Sequence, residues 1–222
     1  MTRVPLPIVV FSIWGVAALA AVGGIGLAIW KVANILADKK LAILGSPRVG
    51  KTTLFQMLRD GKVPKVADKT TDAEPGTTFT LKVSGKDIRF EIPKDVNGNG
   101  GVAFPEWRKA FDGADFVLYL FRADQLAAGD EKTVKMVSNH LTLMKGWLVA
   151  RKGQPPKIVL VGTFADQSLG FPETRHELNR VVADQPAIKA ALVKLNNAGL
   201  VVGSLASTRL ASSLIKSIEK AL

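Results

Sequence analysis

The most constraining feature of the sequence is an eight-residue stretch that joins a short apolar run to a helical pattern. The run Leu41 to Leu44 has the character of a buried strand and breaks at Gly45. From Lys51 onward the apolar residues are spaced as on one face of a helix. Between them the chain reads Gly45-Ser46-Pro47-Arg48-Val49-Gly50-Lys51-Thr52. This is the spacing of a phosphate-binding loop, or P-loop, in the strand–loop–helix setting that gives the spacing its meaning.

Each part of this loop has a task in holding the phosphates of a nucleotide. Glycines at both ends let backbone N–H groups turn inward as an anion-binding nest, and the following helix points the positive end of its dipole at the same place. We expect Lys51 to bridge the β- and γ-phosphates and the hydroxyl of Thr52 to ligate Mg²⁺. The nucleotide contacts predicted in this stretch are Gly45, Pro47, Arg48, Val49, Gly50, Lys51, Thr52 and Thr53.

The segment ahead of the loop predicts a membrane anchor. No charged residue occurs from Leu6 to Trp30, and most residues there are Val, Ile, Leu, Ala or Gly. About 20 apolar helical residues span a bilayer, so the stretch is long enough to cross one. The alternative is a cleaved signal peptide ending at Ala18-Leu19-Ala20, but the apolar stretch continues well past those residues. We therefore expect an anchor and juxtamembrane segment at 1–37 and one P-loop domain at 38–222.

Charge predicts on which side of the membrane the domain lies. One Arg precedes the apolar segment, whereas Lys31, Lys39 and Lys40 follow it, so the positive-inside rule places residues 38–222 in the cytoplasm. The formal net charge of +11 suits a surface beside anionic lipid, because the chain has no nucleic-acid recognition motif. Cysteine is absent, which excludes disulfides and a Cys nucleophile. A stripe of small residues, frequent in membrane helices generally, would also permit a homodimer: Ala20, Gly24 and Ala28.

The remainder of the chain alternates strand and helix patterns. Strands are predicted at 41–44, 79–83, 88–92, 116–121, 157–162 and 200–205, and helices at 51–59, 105–111, 131–150, 173–197 with a break at Pro186, and 207–222. The second and third strands predict a hairpin. The runs at 116–121 and, after Lys157, 157–162 are continuously apolar, as in parallel strands buried on both faces. The pattern predicts an α/β fold with a doubly wound, mostly parallel sheet that binds its ligand at the carboxyl ends of the strands.

The order of motifs over residues 41–222 resembles that of the Ras-like and Arf-like small GTPases of the P-loop class. Thr77 and Thr78 fall where the first switch of that family supplies a threonine ligand to Mg²⁺, and the Pro-Gly-Thr-Thr run favours Thr78. Asp95 and Gly98 form an Asp-x-x-Gly sequence similar to the second-switch motif, in which the aspartate holds Mg²⁺ and the glycine N–H meets the γ-phosphate. The metal ligands that the resemblance implies are Thr52, Thr78 and Asp95.

The sequence after the strand at 157–162 resembles the family's base-recognition motif. It reads Thr163-Phe164-Ala165-Asp166, with Phe in place of Lys. The resemblance implies that Asp166 accepts the N1–H and N2 amino protons of guanine, which adenine does not offer together. Phe164 would cover the purine face instead of the lysine stem, and the strength of guanine selectivity stays open. Ser204-Leu205-Ala206-Ser207 is similar to a weaker fifth motif that contacts the base through backbone N–H groups. The expected base contacts are Thr163, Phe164, Asp166, Ser204 and Leu205.

Two departures from the family bear on hydrolysis. Asn99 follows the second-switch glycine, where many relatives have Gln to orient the attacking water. Because Asn is one methylene shorter, we expect slow intrinsic hydrolysis. Arg48 stands where other relatives have an Asn that helps to hold a potassium ion, and its guanidinium either supplies that charge in cis or points into solvent or toward lipid. The expected catalytic residues are Lys51, Asn99 and Arg48.

These features together predict a membrane-anchored small GTPase that switches between GTP- and GDP-bound states and recruits a protein effector. A single N-terminal span joined to an Arf-like domain is also the layout of the signal-recognition-particle receptor beta family. The alternatives are a non-hydrolysing nucleotide-binding scaffold and an ATP-using P-loop protein in membrane transport or assembly. The helix at Glu106 to Phe111 either contacts effectors, as in Arf-type members, or packs on the sheet. His140 and His176 are interpreted as structural or surface residues.

Overall fold

A computed structural model describes residues 25–37, 39–63, 78–83, 86–91 and 104–222. Within these ranges six strands occur: β1 (Lys40–Gly45), β2 (Thr78–Val83), β3 (Lys86–Glu91), β4 (Phe116–Arg122), β5 (Lys157–Thr163) and β6 (Gly199–Val202). The helices are α1 (Ile25–Leu36), α2 (Lys51–Asp60), α3 (Phe104–Gly113), α4 (Ala123–Ala127), α5 (Glu131–Ala150), α6 (Arg175–Asp184), α7 (Pro186–Lys194) and α8 (Thr208–Ala221). A 3₁₀ turn, Ala165–Gln167, follows β5.

The six strands form one sheet in the order β2-β3-β1-β4-β5-β6. Strands β3, β1, β4, β5 and β6 run parallel, and β2 pairs antiparallel with β3. The α/β class, the mostly parallel sheet and the hairpin predicted from the sequence are therefore confirmed. After β1 the chain first builds β2 and β3 on one side of β1 and then β4, β5 and β6 on the other side. The direction in which strands are added therefore reverses at β1. Parallel sheets bind ligands at the carboxyl ends of the strands at such a switch point.

Helices cover both faces of the sheet, and the central strands contribute to two apolar cores. On β4, Tyr119 and Phe121 point into the core beneath α3 to α7, whereas Leu118 and Leu120 point into the core beneath α1, α2 and α8. Successive side chains of a strand face opposite sides of a sheet, so a strand buried on both sides must be apolar at every position. This explains why the runs at 116–121 and 157–162 showed no alternation in the sequence.

Helix α1 packs on the same body as the sheet. Its residues Ile29, Val32 and Leu36 are buried in the core that α1 shares with α2 and α8, and Lys31 forms a 3.2 Å ion pair with Glu219 of α8. The domain boundary predicted between residues 37 and 38 thus separates α1 from α2 and α8, with which it shares a core. Among the described residues, no helix is both long and apolar enough to cross a membrane.

Two predicted elements differ from the structure in detail. The strand predicted at 200–205 ends at Val202. There the backbone of Gly203 donates to Gly162 and accepts from Ala165, which directs the chain away from the sheet. The long helical region at 173–197 is two helices, α6 and α7, with Pro186 as the first residue of the second, where the missing proline N–H costs nothing. The sequence analysis did not predict α4.

Candidate functional site

Three loops meet at the carboxyl-terminal edge of the sheet. They follow β1, β5 and β6, and they carry the P-loop, the Thr163–Asp166 stretch and the Ser204–Leu205 stretch. Each loop leaves a parallel strand, so the sheet itself brings together residues that are more than a hundred positions apart in the sequence.

The P-loop is shaped by backbone conformations that favour glycine. Gly45 has φ 146° and Gly50 has φ 92°. A Cβ on Gly45 would lie 2.5 Å from the carbonyl oxygen of Leu120, and one on Gly50 would lie 2.9 Å from Leu205 Cδ1. Arg48 also has a positive φ of 62°, and its side chain is exposed. The loop therefore depends on glycine for conformation at both ends and for close contact with β4 and the 203–207 loop.

The side chain of Lys51 folds back into the P-loop. It is 6% exposed, and its Nζ donates hydrogen bonds of 2.8 Å to the carbonyl oxygens of both Gly45 and Ser46. These bonds hold the beginning of the loop against the first turn of α2. The nearby Thr52 and Thr53 are half-buried at the start of that helix. A buried ammonium beside a helix N-terminus makes this edge of the sheet positive, which suits phosphate.

A buried polar and aromatic cluster lies beneath the P-loop. The hydroxyl of Ser46 donates to Met136 Sδ at 3.0 Å, and one turn further along α5 the Nδ1 of His140 lies 3.0 Å from the Tyr119 hydroxyl. Trp107 of α3 packs edge-on against the His140 ring. Burial, and to a lesser degree the positive charge of Lys51, lowers the pKa of His140 to about 4, so the imidazole is neutral at pH 7. The structural role predicted for His140 is confirmed.

Asp166 is held by side chains of two loops. Its Oδ1 accepts a short hydrogen bond from the Ser204 hydroxyl, and its Oδ2 accepts from Gln167 Nε2 at 2.7 Å. The Ser204 oxygen in turn accepts from the backbone N–H of Ala206 at 3.0 Å. Ser204 thus holds Asp166 through its side chain. The sequence had predicted only a contact from its backbone N–H to the base. Asp166 itself is half-buried at the mouth of the site.

The Phe164 ring contacts a charged residue that was not predicted from the sequence to belong to the site. The guanidinium of Arg122, the last residue of β4, lies 4.1 Å from the centroid of the Phe164 ring. Arg122 also forms a two-pronged ion pair with Asp124, in which Nε and Oδ1 are 3.0 Å apart. The hydrogen bond to Asp124 raises the pKa of Arg122 above its usual value. Arg122 lies opposite Thr163 in the β4–β5 ladder, which brings it beside Phe164.

Thr163 connects the P-loop to the Thr163–Asp166 stretch, which we call the base loop after its predicted role. It is fully buried, and its hydroxyl lies 2.9 Å from the carbonyl oxygen of Val49 in the P-loop and 3.0 Å from that of Phe121 in β4. One hydroxyl proton is shared between these two acceptors. The end of β5 is thereby fixed to the P-loop.

The structure brings together most, though not all, of the predicted site. The P-loop residues, the 163–166 stretch and the 204–205 stretch lie at one edge of the sheet. Thr78 is the first residue of β2, and its side chain is not described. Thr77, Asp95, Gly98 and Asn99 lie outside the described residues. In the described part of the chain, no group of three or more His, Cys, Asp or Glu side chains could hold a metal ion.

A cavity of about 500 Å³ adjoins the base loop without including any predicted site residue. It lies between α4, the 167–174 segment and α6. Its lining combines two carboxylates, two amides and an apolar floor, and includes Asp124, Gln125, Gln167, Glu177, Leu178 and Val181.

No family model and no curated relative matches the sequence. Solved structures share its fold. An ADP-ribosylation-factor-like GTP-binding protein (the small COPII coat GTPase SAR1) from Encephalitozoon cuniculi, in complex with GDP, is 14% identical over 92% of this chain and 89% of that chain, with a TM-score of 0.54. The mammalian SRP receptor structure is 13% identical over 83% of this chain and 100% of that chain, with a TM-score of 0.53.

A GTP-binding protein from the hyperthermophilic archaeon Sulfolobus solfataricus, in complex with GDP, is 13% identical, with a TM-score of 0.50. The match covers 86% of this chain and 54% of that chain, so this chain spans about half the length of the archaeal protein. At such identities the likeness shows the fold alone. The chain has the α/β fold of a P-loop GTPase.

Proposed function

We propose that the protein is a membrane-anchored small GTPase, a GTP/GDP switch with slow intrinsic hydrolysis. The observation that carries the proposal is the pairing of two recognition elements at one sheet edge. A glycine-shaped loop with a buried Lys51 suits the phosphates, and a carboxylate held by Ser204 suits the guanine N1–H and N2 amino group. The GDP bound in the fold neighbours from Encephalitozoon and Sulfolobus supports the same reading.

The residues around the phosphate loop fit a nucleotide with Mg²⁺. Gly45 leaves no room for a side chain beside the Leu120 carbonyl, Gly50 holds a φ of 92°, and Lys51 supplies a buried positive charge. Thr52, the second residue of α2, would ligate the metal through its hydroxyl, and Thr78 and Asp95 are the further ligands proposed from the sequence. The metal would neutralise negative charge on the phosphates. Asn99 would position water poorly, which is the basis for slow turnover, and Arg48 is proposed to supply positive charge in cis.

The proposed anchor lies in the apolar segment that begins at Leu6. Since α1 packs on the domain from Ile29 onward, the domain would begin at the membrane surface without a flexible linker. The opposite face of α1 carries Leu27, 57% exposed, and Trp30, 47% exposed. Both residues suit the headgroup region of a bilayer. The excess of Lys and Arg is proposed to contact anionic lipid at the cytoplasmic face, where a protein effector would also bind.

Tryptophan fluorescence tests the membrane placement. Trp107 and Trp147 are buried, so in a Trp14→Phe background Trp30 is the accessible tryptophan of the full chain. Brominated lipids in reconstituted vesicles should quench the Trp30 signal, and adding Trp30→Phe should remove the quenchable fraction. Equal fluorescence in brominated and ordinary lipid would contradict the placement.

Nucleotide titration tests the central proposal. The full chain in detergent is preferable to a fragment starting at residue 38, because that fragment would lose the buried side chains of α1. We expect GDP and GTP to bind in preference to ATP, and Asp166→Ala to abolish that preference. Asp184→Ala, which removes an exposed carboxylate on α6, is the matched control and should bind as the parent chain does. Equal affinity for ATP and GTP, insensitive to Asp166→Ala, would overturn the proposal.

Asn99 favours a second candidate, the non-hydrolysing scaffold. Phosphate release separates the two, because a switch must hydrolyse GTP and a scaffold need only bind it. If the short Asn99 amide limits the reaction, Asn99→Gln should raise turnover at unchanged GTP affinity. Guanine-selective binding with no turnover in either form would favour the scaffold.

A further inference from the structure

We propose that Arg122 is the residue that positions Phe164 as the platform for the purine base. This inference rests on the proposed function, and it assigns to Arg122 and Phe164 together the position that a lysine stem occupies in the family motif. The stack would consist of the Arg122 guanidinium, the Phe164 ring and the purine, with the purine on the face of the ring away from the guanidinium.

The position of the guanidinium is fixed from two directions. Arg122 is the last residue of β4, so its backbone belongs to the sheet ladder beside Thr163. Its head group forms a two-pronged ion pair with Asp124, whose side chain is only 12% exposed. A planar guanidinium held by two hydrogen bonds to a carboxylate loses the freedom to rotate. Its flat face therefore meets Phe164 in one orientation.

Phe164 requires such support. It has φ 59°, in the left-handed region that a bulky residue rarely adopts, and its side chain is half-buried. This conformation persists where the surroundings hold it. The ring centroid lies 4.1 Å from the guanidinium carbon, a distance at which the cation is attracted to the ring face. The contact covers one face of the ring and fixes its plane.

The charges around the stack suit a base bound by Asp166. Arg122 is neutralised mainly by Asp124, and the Asp166 carboxylate also contributes to its environment. The guanidinium is thus a fixed positive charge behind the aromatic ring, close enough to the Asp166 carboxylate to interact with it electrostatically. A lysine in the motif would supply its positive charge and its apolar stem from one side chain. Here two residues from neighbouring strand ends share those tasks.

The test compares ligands that report on different parts of the site. GDP would contact both the P-loop and the base loop. IDP lacks the 2-amino group that would donate a hydrogen bond to Asp166, and inorganic pyrophosphate would contact the P-loop alone. In the full chain we expect Arg122→Leu to weaken GDP and IDP binding about tenfold, with pyrophosphate binding unchanged, which corresponds to a loss of about 1.4 kcal/mol. Arg122→Lys, which keeps the positive charge beside Asp124 but lacks the planar face, should weaken GDP binding about threefold, as a cation–π contact of modest strength would predict.

A double-mutant cycle distinguishes positioning from general loss of structure. If Arg122 acts through Phe164, then Arg122→Leu combined with Phe164→Ala should bind GDP no more weakly than Phe164→Ala alone. Arg180→Leu, at an exposed position on α6, is the matched control and should leave binding of all three ligands unchanged. If Arg122→Leu does not fold, Arg122→Lys and Phe164→Ala provide the same comparison.

Several results would overturn the inference alone. They are unchanged GDP affinity in Arg122→Leu, additive losses in the double variant, and an equal loss for pyrophosphate. The proposed function fails in a different way, because the parent chain itself would then show no preference for GDP over ADP and no response to Asp166→Ala. The two failures are therefore distinguishable in one set of titrations.

Discussion

The phosphate and base ends of the candidate site lie at the same sheet edge and are built by different means. At the phosphate end the loop is set by backbone conformation, with positive φ at Gly45, Arg48 and Gly50. At the base end, side chains from separate loops hold one another, as Ser204 holds Asp166 and Arg122 stacks on Phe164. Few other residues can replace glycine where the backbone requires a positive φ. A side-chain assembly tolerates replacement when a neighbour compensates.

This difference accounts for where the chain departs from the GTPase motifs that its sequence resembles. The spacing of glycines, lysine and threonine in the P-loop is intact. Another residue at Gly45 would collide with the backbone carbonyl of Leu120, and one at Gly50 would have to adopt a φ of 92°. The 163–166 stretch has Phe where the motif that it resembles has Lys, and the structure places an aromatic ring and a guanidinium there. We therefore expect substitutions at the phosphate end to damage stability and binding together. Substitutions of Phe164, Asp166 and Ser204 at the base end should affect binding alone.

The largest effect is expected for Gly45→Ala. The added Cβ would lie 2.5 Å from the carbonyl oxygen of Leu120, in the backbone of a central strand, at a φ of 146° that alanine rarely adopts. Steric overlap and backbone strain together should lower the free energy of unfolding by about 4 kcal/mol. The measurement is denaturant unfolding of the full chain in detergent, followed by the near-ultraviolet signal of the buried Trp107 and Trp147.

Gly153→Ala is the matched control for that prediction. Gly153 also has a positive φ, 102°, but an added Cβ would meet nothing within 4 Å. Its cost should be the conformational strain alone, about 1 kcal/mol. Equal costs at the two positions would mean that close approach to β4 is not what requires glycine at Gly45.

The second prediction concerns pH and the cluster beneath the phosphate end. The pKa of His140 falls from its ordinary value of 6.5 to about 4, mainly through burial. Below pH 6.5 the unfolded chain therefore binds a proton that the folded chain does not. Stability should fall by about 1.4 kcal/mol per pH unit between pH 6.5 and 4, about 3 kcal/mol in all, and His140 should contribute no pH dependence above that range.

His140→Asn isolates this contribution from that of the carboxylates. Asn keeps an acceptor near the Tyr119 hydroxyl and has no titration in this range. The difference between the unfolding free energies of parent and variant should shrink as pH falls from 6.5 to 4. A parallel pH dependence in the two proteins would show that His140 is protonated as readily in the fold as outside it.

The elements that the sequence predicted well are those whose pattern is set by burial over several residues. The run at 116–121 is apolar because both faces of β4 are covered, and α5 begins and ends at the predicted Glu131 and Ala150. The N-terminus of α5 has a local cause, since the Asp130 side chain accepts from the Thr133 N–H at 2.8 Å. Helix α4, five residues long, is too short to show a period. Its position depends on tertiary contacts.

The phosphate end could be recognised in the sequence more easily than the base end. The P-loop is contiguous, so its spacing could be recognised directly. The pairing of Arg122 with Phe164 depends on the register that places Arg122 opposite Thr163, and no local pattern contains that register. The available signal was a charged Arg-x-Asp sequence at the end of an otherwise apolar strand. A charged residue at that position marks the ligand edge of a parallel sheet.

Thr163→Val is expected to change stability less than Gly45→Ala or protonation of His140 does, and it tests the connection between the two ends. Valine keeps the shape of the side chain and removes the hydroxyl that lies near the carbonyl oxygens of Val49 and Phe121. Both buried carbonyl oxygens then lose the hydroxyl that donates to them, which should lower the unfolding free energy by about 2 kcal/mol. Thr142→Val, whose hydroxyl bonds Ser138 on an exposed helix surface, should cost well under half as much.

Binding measurements on the same variant decide how the ends are connected. If Thr163 fixes β5 to the P-loop, Thr163→Val should weaken pyrophosphate as well as GDP, because the P-loop loses a support that the base end provides. Ser204→Ala should weaken GDP and leave pyrophosphate unchanged, since the Ser204 hydroxyl bonds Asp166 and Ala206 at the base end. If Thr163→Val also spared pyrophosphate, the phosphate loop would hold its shape through Gly45, Gly50 and Lys51 alone. The two ends would then be independent sites that share a sheet edge.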